Sequence, residues 1–261
     1  MSYQAYWEPS TRTPTVEFSA SESKRTGLRI GRLLCGPQTD WTNFNPEEAI
    51  TASDVDFVIM RYPADKHWIA EELQRSSLTS WIADTLLYLQ VNTEQVSEPN
   101  DRYSLTSIDG FTDLIEQLVR GIFTDYRNHY SASSAFTSID VAESYVDWTR
   151  HQLNKPTGRC CLLENADREP VALSILDSCS SVFDEITLIG VEPTFRQSGA
   201  FFTLLQHIAQ MTRNAGKSRL VTSTQASNIS SLRGLGRAGF LPVLALNTLH
   251  ISKPEIPKQD A

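Results

Sequence analysis

The sequence predicts an α/β (α+β) protein: a mixed central sheet flanked by helices, with an αβ half-domain in front of it. Three observations carry this. Short runs rich in β-branched and apolar residues alternate with helix-period stretches along most of the chain. In the longer second half, the order is strand, two helices, three strands, helix, strand, helix, strand. And a polar stretch, VNTEQVSEPNDRYSL, with Pro99 and Asn100, parts two αβ-patterned halves. It sets a boundary near residues 92–101 and a division into 1–98 and 99–261.

The first half opens with a strand in LRIGRLLC. Asn45-Pro46-Glu47 marks a helix start, with proline at the first helical position. DFVIMRYP is a strand, ended by Pro63-Ala64-Asp65, and Asp65 is expected to cap the helix DKHWIAEELQRSS. In WIADTLLYLQVN, the run TLLYLQV is apolar enough for a buried strand.

In the second half YSLTSI alternates like a strand. Asp109 is expected to cap a helix whose apolar positions Phe111, Leu114, Ile115, Leu118 and Ile122 fit helical spacing. After the loop RNHYSASSAF, Asp140 starts a second helix, VAESYVDWTRHQL. GRCCLLENA, PVALSILDS and SVFDEITLIGV read as three strands joined by turn signals. A helix follows, then the strand SRLVTST, a helix from Asn228 or Ser230, and a last strand, VLALNTLHIS.

Composition narrows the function. The chain has 261 residues and a formal charge of −8, which argues against a broad nucleic-acid-binding surface. An anionic ligand would have to be held locally, by a helix end and a few Arg or Lys residues. No apolar run reaches the roughly 18 residues of a membrane span, and MSYQAYWEPSTRTP lacks the basic patch and apolar core of a signal peptide. Cys35, Cys160, Cys161 and Cys179 show no CxxC spacing. Buried free thiols in a cytoplasmic protein, with no metal, are expected.

One stretch suggests a ligand. In GVEPTFRQSGAFFTLLQ, a β-branched strand ends at Glu192-Pro193, and an arginine and a short polar turn with one glycine lead into an apolar helix. A helix start presents backbone N–H groups without intrahelical partners and the positive end of the helix dipole, which suits a phosphate. An ordinary strand–turn–helix connection fits the same residues.

The second half resembles the GCN5-related N-acetyltransferase (GNAT) superfamily. The Gln/Arg-x-x-Gly-x-Gly/Ala turn of that family is matched by Arg196-Gln197-Ser198-Gly199-Ala200-Phe201, except that Phe201 stands where a small residue is usual. Asn228 on the exit of the penultimate strand, followed by a short helix and Gly239-Phe240, matches a second signature. The resemblance covers roughly the last 160 residues. The first half resembles a partial GNAT-like half-domain, as in nucleotide-sugar N-acyltransferases such as TDP-fucosamine acetyltransferase. FTDYRNHYSASSAF and VTSTQASN are also similar to segments of those enzymes.

The resemblance implies acyl-CoA as co-substrate and a dTDP-3-amino-3,6-dideoxyhexose as acceptor, in the making of lipopolysaccharide, O-antigen or capsule. The donor's acyl group would be acetyl, or a short hydroxyacyl such as 3-hydroxybutanoyl, for which Gly234 and Gly236 leave room. The 3-amino and 4-amino sugars are not separable by residue, and a homodimer stays open. An amine of another small molecule or a protein, or an acyl-CoA sensor without turnover, are the alternatives.

By the helix-terminus argument the donor's pyrophosphate falls to the backbone amides of Gln197, Ser198, Gly199, Ala200, Phe201 and Phe202, with Arg196 adding charge. Pantetheine is expected to pair with Leu188, Ile189 and Val191 as an extra strand. The Val191 N–H would polarise the thioester carbonyl, and Asn228 would bond pantetheine or the phosphate arm, cap the next helix, or do both. Tyr126, Arg127, Tyr130 and Gln225 are expected around the acceptor; the tyrosines could equally pack a helix corner. As base, His129 in its loop and Glu185 are the candidates; Glu185 shares strand parity with Ile189 and Val191. A tyrosine acid common in the family falls at Leu235, which cannot donate a proton.

Overall fold

The structure is a computed structural model that describes Tyr3 and residues 13–254. Most of the N-terminal stretch read for a leader lies outside the described residues. In chain order the elements are β1 (Glu17–Phe18), α1 (Ala20–Thr26), β2 (Ile30–Leu34), α2 (Pro46–Thr51), β3 (Phe57–Pro63), α3 (His67–Arg75), β4 (Thr79–Asn92), β5 (Ser104–Ile108), α4 (Asp113–Phe123), α5 (Val141–Leu153), β6 (Gly158–Glu164), β7 (Pro170–Asp177), β8 (Phe183–Val191), α6 (Ala200–Asn214), β9 (Arg219–Gln225), α7 (Ile229–Arg237) and β10 (Leu241–Ser252). The fold is mixed α/β, as expected; β1 and α1 carry too short a pattern to be read from sequence.

The chain forms two compact units, and they are not the linear division after residue 98. The first holds Tyr3, Leu87–Arg127 and Asp140–Leu244. The second holds the described residues 13–86 and 245–254 together with Asn128–Ile139. β4 and β10 each give residues to both units, and the segment after α4 belongs to the second although the helices on either side of it belong to the first. Contacts distant in sequence decide this, and no local pattern reports them.

In the second unit β1 pairs antiparallel with β2, β2 parallel with β3, and β3 antiparallel with β10. Leu33, Val58, Met60, Ile69, Leu73 and Ile251 build its larger core. Asn45 caps α2 as expected, accepting the Glu48 N–H at 3.0 Å. Asp65 does not cap α3; Lys66 stands at that position and makes no capping bond, its Nζ donating to Asp65 Oδ2 at 3.2 Å instead.

In the first unit the strands run in the order β5-β6-β7-β8-β9. All neighbours are antiparallel except β8 and β9, which are parallel. α4 and α5 cover one face through Ile115, Val119, Ile122 and Val146, which pack with Leu173, Ile175 and Leu188. α6 and α7 pack on the other through Leu204, Leu205, Ile208 and Leu235. Asp140 caps α5 as expected. The cap of α4 is Thr112, not Asp109: Gly110 turns the chain at φ +77°, and the Thr112 hydroxyl accepts the Ile115 N–H at 3.4 Å. Leu114, placed on the apolar face from spacing, is exposed. Of the four free cysteines, Cys179 is exposed rather than buried.

The core under α6 includes Leu89, Val91 and Val96, all buried, from the stretch before the expected boundary. At about 1.5–3 kcal/mol per buried aliphatic side chain, losing three costs roughly 5–9 kcal/mol. That rivals the whole stability of a typical domain, about 5–15 kcal/mol. A chain beginning at Asn100 is therefore expected to be insoluble or to lack a cooperative thermal transition. A melting curve like that of the full chain would show that these residues are dispensable to the core.

Candidate active site

The first unit carries an opening in its sheet. β8 and β9 pair from Phe183↔Arg219 to Ile186↔Thr222, and there the pairing ends. The Thr222 hydroxyl donates to the Ile186 carbonyl at 3.0 Å and closes the end of the ladder. β8 runs on to Val191 and β9 to Gln225, so two strand ends diverge and leave a fork.

A bulge decides what β8 presents there. Ile175 pairs with Leu188 and Leu176 with Ile186, so Thr187 is an extra residue on β8. An extra residue exchanges the two faces. Before it, Ile186 joins the α6 core and Asp184 accepts the Thr212 hydroxyl of α6 at 2.8 Å. After it, Leu188 joins the α4 core, while Ile189 and Val191 pack toward α6. Gly190 faces α4 so closely that a Cβ would stand 2.3 Å from Ile122 Cγ2.

The backbone alternates likewise. Glu192 N–H bonds the Val171 carbonyl on β7 at 3.0 Å. Gly190 and Leu188 then point their backbone groups to β7, and Ile189 and Val191 point theirs into the fork. Of the expected pantetheine partners, these two offer hydrogen-bonding groups on the open side; Leu188 does not.

The bulge removes Glu185 from that set. It lies on the face opposite Ile189 and Val191, against the parity expected from sequence, and about 20 Å along the strand from Val191. Glu185 is buried and accepts the Tyr3 N–H at 2.8 Å. Burial pushes its carboxyl up to about 7, against the pull of that bond. Nothing there connects it to the fork.

Beyond β8 the turn forms as read. Gln197 and Gly199 both take left-handed backbone, at φ +68° and +89°. For glutamine that costs roughly 1–2 kcal/mol. The chain thereby turns into α6, whose first amides, those of Ala200, Phe201 and Phe202, head the helix. Arg196 is exposed and donates to the Ile122 carbonyl at 3.3 Å, tying the turn to the end of α4. Two residues missed from sequence hold the other side. Arg102 Nη1 donates to the Ser198 carbonyl at 3.2 Å, and the Tyr103 hydroxyl to Ser198 Oγ at 3.2 Å. They follow a polar linker, so only their contacts mark them.

Phe201 has a structural reason. A Cβ on Gly234 of α7 would stand 2.6 Å from its ring, so the ring fills the space that Gly234 vacates. That space is taken up by the protein, not left for a longer acyl chain. Leu235 beside it is buried in the core.

The end of β9 gathers three expected residues. The Tyr126 hydroxyl donates to Gln225 Oε1 at 3.1 Å and accepts from Asn228 Nδ2 at 3.3 Å. Asn228 Nδ2 also bonds Thr224 Oγ1 at 3.2 Å, and its Oδ1 caps α7 at Ser231 N–H, 3.2 Å. Tyr126 packs edge-on to Phe123 and Tyr145, centroids 5.5 and 5.6 Å away. Arg127 is exposed beside it.

His129 and Tyr130 fall in the second unit. His129 is buried and bonds His250 of β10 at 3.0 Å. Burial, then the charges of Arg61 and Arg32, hold its ring well below the ordinary 6.5. The loop base expected from sequence is thus a buried neutral ring. Tyr130 is buried too, donating to Glu22 at 2.6 Å. Among the described residues no cluster of three or more His, Cys, Asp or Glu could hold a metal, and no helix is long and apolar enough to cross a membrane.

Known structures share this architecture. No family model and no curated protein sequence matches the chain. A functionally unknown conserved protein from Staphylococcus epidermidis superposes with a TM-score of 0.61 at 10% identity, over 97% of this chain and 98% of that one. A GCN5-related N-acetyltransferase from Kribbella flavida gives 0.55 at 15%, over 86% and 81%. Another from Sphaerobacter thermophilus gives 0.53 at 16%, over 77% of this chain and 61% of that one, so the chain spans under two thirds of that protein's length. The fold is that of GCN5-related N-acetyltransferases.

The Glu185 carboxyl makes a testable statement about pH. Its folded value, about 7, lies above the ordinary 4.5. Its contribution is therefore full below pH 4.5 and lost as pH rises through 7. Glu185→Gln keeps an acceptor for Tyr3 and removes the buried charge. It is expected to raise the melting temperature at pH 8.5, by up to about 3 kcal/mol of stability, and to change it little at pH 4.5. Equal shifts at both pH values would show that Glu185 is not raised.

Proposed function

We propose that the protein is a CoA-dependent N-acyltransferase, taking acyl-CoA in the fork of the first unit and passing the acyl group to an amine. The observation that carries this is the fork itself: a strand edge with the N–H groups of Ile189 and Val191 aimed into it, ending at a turn that heads a 15-residue helix. An extended amide-bearing arm could lie along that edge as an added strand. A pyrophosphate suits the amides of Ala200 to Phe202 and the charges of Arg196 and Arg102.

For the acceptor we propose a nucleotide-linked amino sugar of the dTDP-3-amino-3,6-dideoxyhexose type. Tyr126 and Tyr145 give aromatic faces near the mouth of the fork and Arg127 a charge, which suit a base and a phosphate. Tyr130, held in the second unit by Glu22, is not part of this set.

The reaction is attack of the neutral amine on the thioester carbon. The Val191 N–H, or that of Ile189, would take up the charge growing on the carbonyl oxygen. The C–N bond forms, the C–S bond breaks, and the departing thiolate needs a proton. Leu235 supplies none. The Tyr126 hydroxyl, held by Asn228 and Gln225, is the donor we assign, with the amine's own proton leaving to water. Neither His129 nor Glu185 is given a part. The buried Leu235 also favours a second reading, an acyl-CoA binder without turnover, in which CoA binds and no acceptor brings about thiol release.

Two substitutions test this. Gly199→Asp puts a carboxylate and a strained backbone at the head of α6, and is expected to weaken CoA binding at least tenfold in calorimetric titration. Unchanged affinity would take the turn out of the site. Tyr126→Phe is expected to lower acceptor-dependent thiol release by about 100-fold while CoA affinity changes less than threefold. If wild-type protein binds CoA but no amino sugar releases thiol, the acceptor assignment falls.

A further inference from the structure

The segment Asn128–Ile139 leaves the first unit after Arg127 and rejoins it at Asp140, yet packs in the second. Three polar contacts hold it there. His129 Nδ1 meets His250 Nε2 at 3.0 Å. The Tyr130 hydroxyl donates to Glu22, which is paired with Arg32 at 2.5 Å. The Trp81 indole N–H donates to the Ala132 carbonyl at 3.1 Å. Phe136 packs between, 5.0 Å from Phe57 and 4.9 Å from His250, ring centre to ring centre.

The histidine contact differs from the others in kind. At 3.0 Å two ring nitrogens share one hydrogen: one donates and the other accepts. With both rings protonated the two nitrogens would each carry a hydrogen and repel. A single added proton keeps the bond but puts a charge in a site closed to water, since both rings are buried. His250 Nδ1, itself buried, has no hydrogen-bond partner among the described residues to take up that charge. The groups around the pair are mixed in sign. Arg61 of β3 and Arg32 of β2 oppose a proton on either ring, and Asp84 of β4 and Glu22 of α1 favour one on His250. Tyr130 is the neighbouring ring on the segment itself, 4.1 Å from His129.

We propose that the His129–His250 pair is an acid-released catch: while both rings are neutral it fastens Asn128–Ile139 into the second unit, and their protonation lets the segment go. A released segment exposes Phe136 and Tyr130 and frees the chain that follows Tyr126.

The sign follows from the direction of the shifts. Both rings are held below the ordinary 6.5, His250 at about 4, chiefly by burial. Attachment is therefore undiminished above pH 6.5 and weakens as pH falls from there toward 4, because the released rings take up protons that the fastened ones refuse. One such proton changes the attachment equilibrium by up to about tenfold per pH unit, two by up to about a hundredfold.

Amide hydrogen exchange of the full chain between pH 7.5 and 4.5, corrected for the chemical rate, reads this directly. Peptides covering residues 128–139 are expected to lose protection at least tenfold between pH 6.5 and 5, ahead of β6, β7 and α6. His129→Asn with His250→Gln keeps an amide near each bonding nitrogen and cannot be protonated; the double variant is expected to abolish the pH dependence. Imidazole proton NMR of the unaltered protein covers the case in which that variant does not fold. Both rings should then titrate well below the ordinary imidazole range, as buried, fastened rings must. Protection that survives to pH 4.5, protection that falls equally in the double variant, or titration of the rings in the ordinary imidazole range overturns the proposal. None of these readings involves turnover, so failure of the acyltransferase assignment would leave this one standing.

Discussion

The end of pairing between β8 and β9 is the constraint on which the open edge of β8 depends. Parallel strands in a covered sheet normally stay paired along their length, because a buried backbone group without a partner costs free energy. Here the ladder stops after four residue pairs and the strands part. The bulge at Thr187 accompanies the parting: an extra residue strengthens the local twist and bends its strand. Thr222 and Thr187 spend their hydroxyls on strand carbonyls, Ile186 and Ile175, at the point of divergence. The backbone groups of Ile189 and Val191 beyond it face the gap between the two strands.

Packing on both faces keeps the fork in shape. On one side Gly190 lets Ile122 of α4 come within contact of the strand, and Arg196 then reaches the Ile122 carbonyl. On the other, Phe201 of α6 lies against Gly234 of α7. Each contact joins a large side chain to a glycine across elements, so the two positions depend on each other. The Phe201 ring has a berth on α7, in the space left by Gly234. The buried Leu235 follows from the same packing, since that face of α7 serves the core.

The second unit spends buried charge differently. Burial pushes Glu22 up, but Arg32 and the Tyr130 hydroxyl more than offset it and hold the carboxyl at about 2. That cluster, the histidine pair and the Trp81 bond all converge on a segment that the first unit's helices lead into and out of. Breaking one partner of a buried ion pair costs several kcal/mol. The polar contacts thus position the segment more sharply than apolar packing alone would.

Much was legible in the sequence where the cause is local. The strands and longer helices follow from apolar period, Asn45 and Asp140 cap as their spacing says, and the glycine turn into α6 stands where residue type and order put it. What failed has one physical origin: it depends on residues far apart in the chain. One unseen bulge reversed the face of Glu185. Burial against β10 turned a loop histidine into a neutral core ring. Arg102 and Tyr103 became part of the turn only by folding onto Ser198, 95 or more residues away. Residue order was enough to say which segments become strands, helices and the glycine turn into α6, since backbone preference and side-chain period are short-range. Tertiary structure alone decided the division into units, the open edge of β8 and the company each ionisable group keeps, because strand register and burial are set by partners the local chain does not contain.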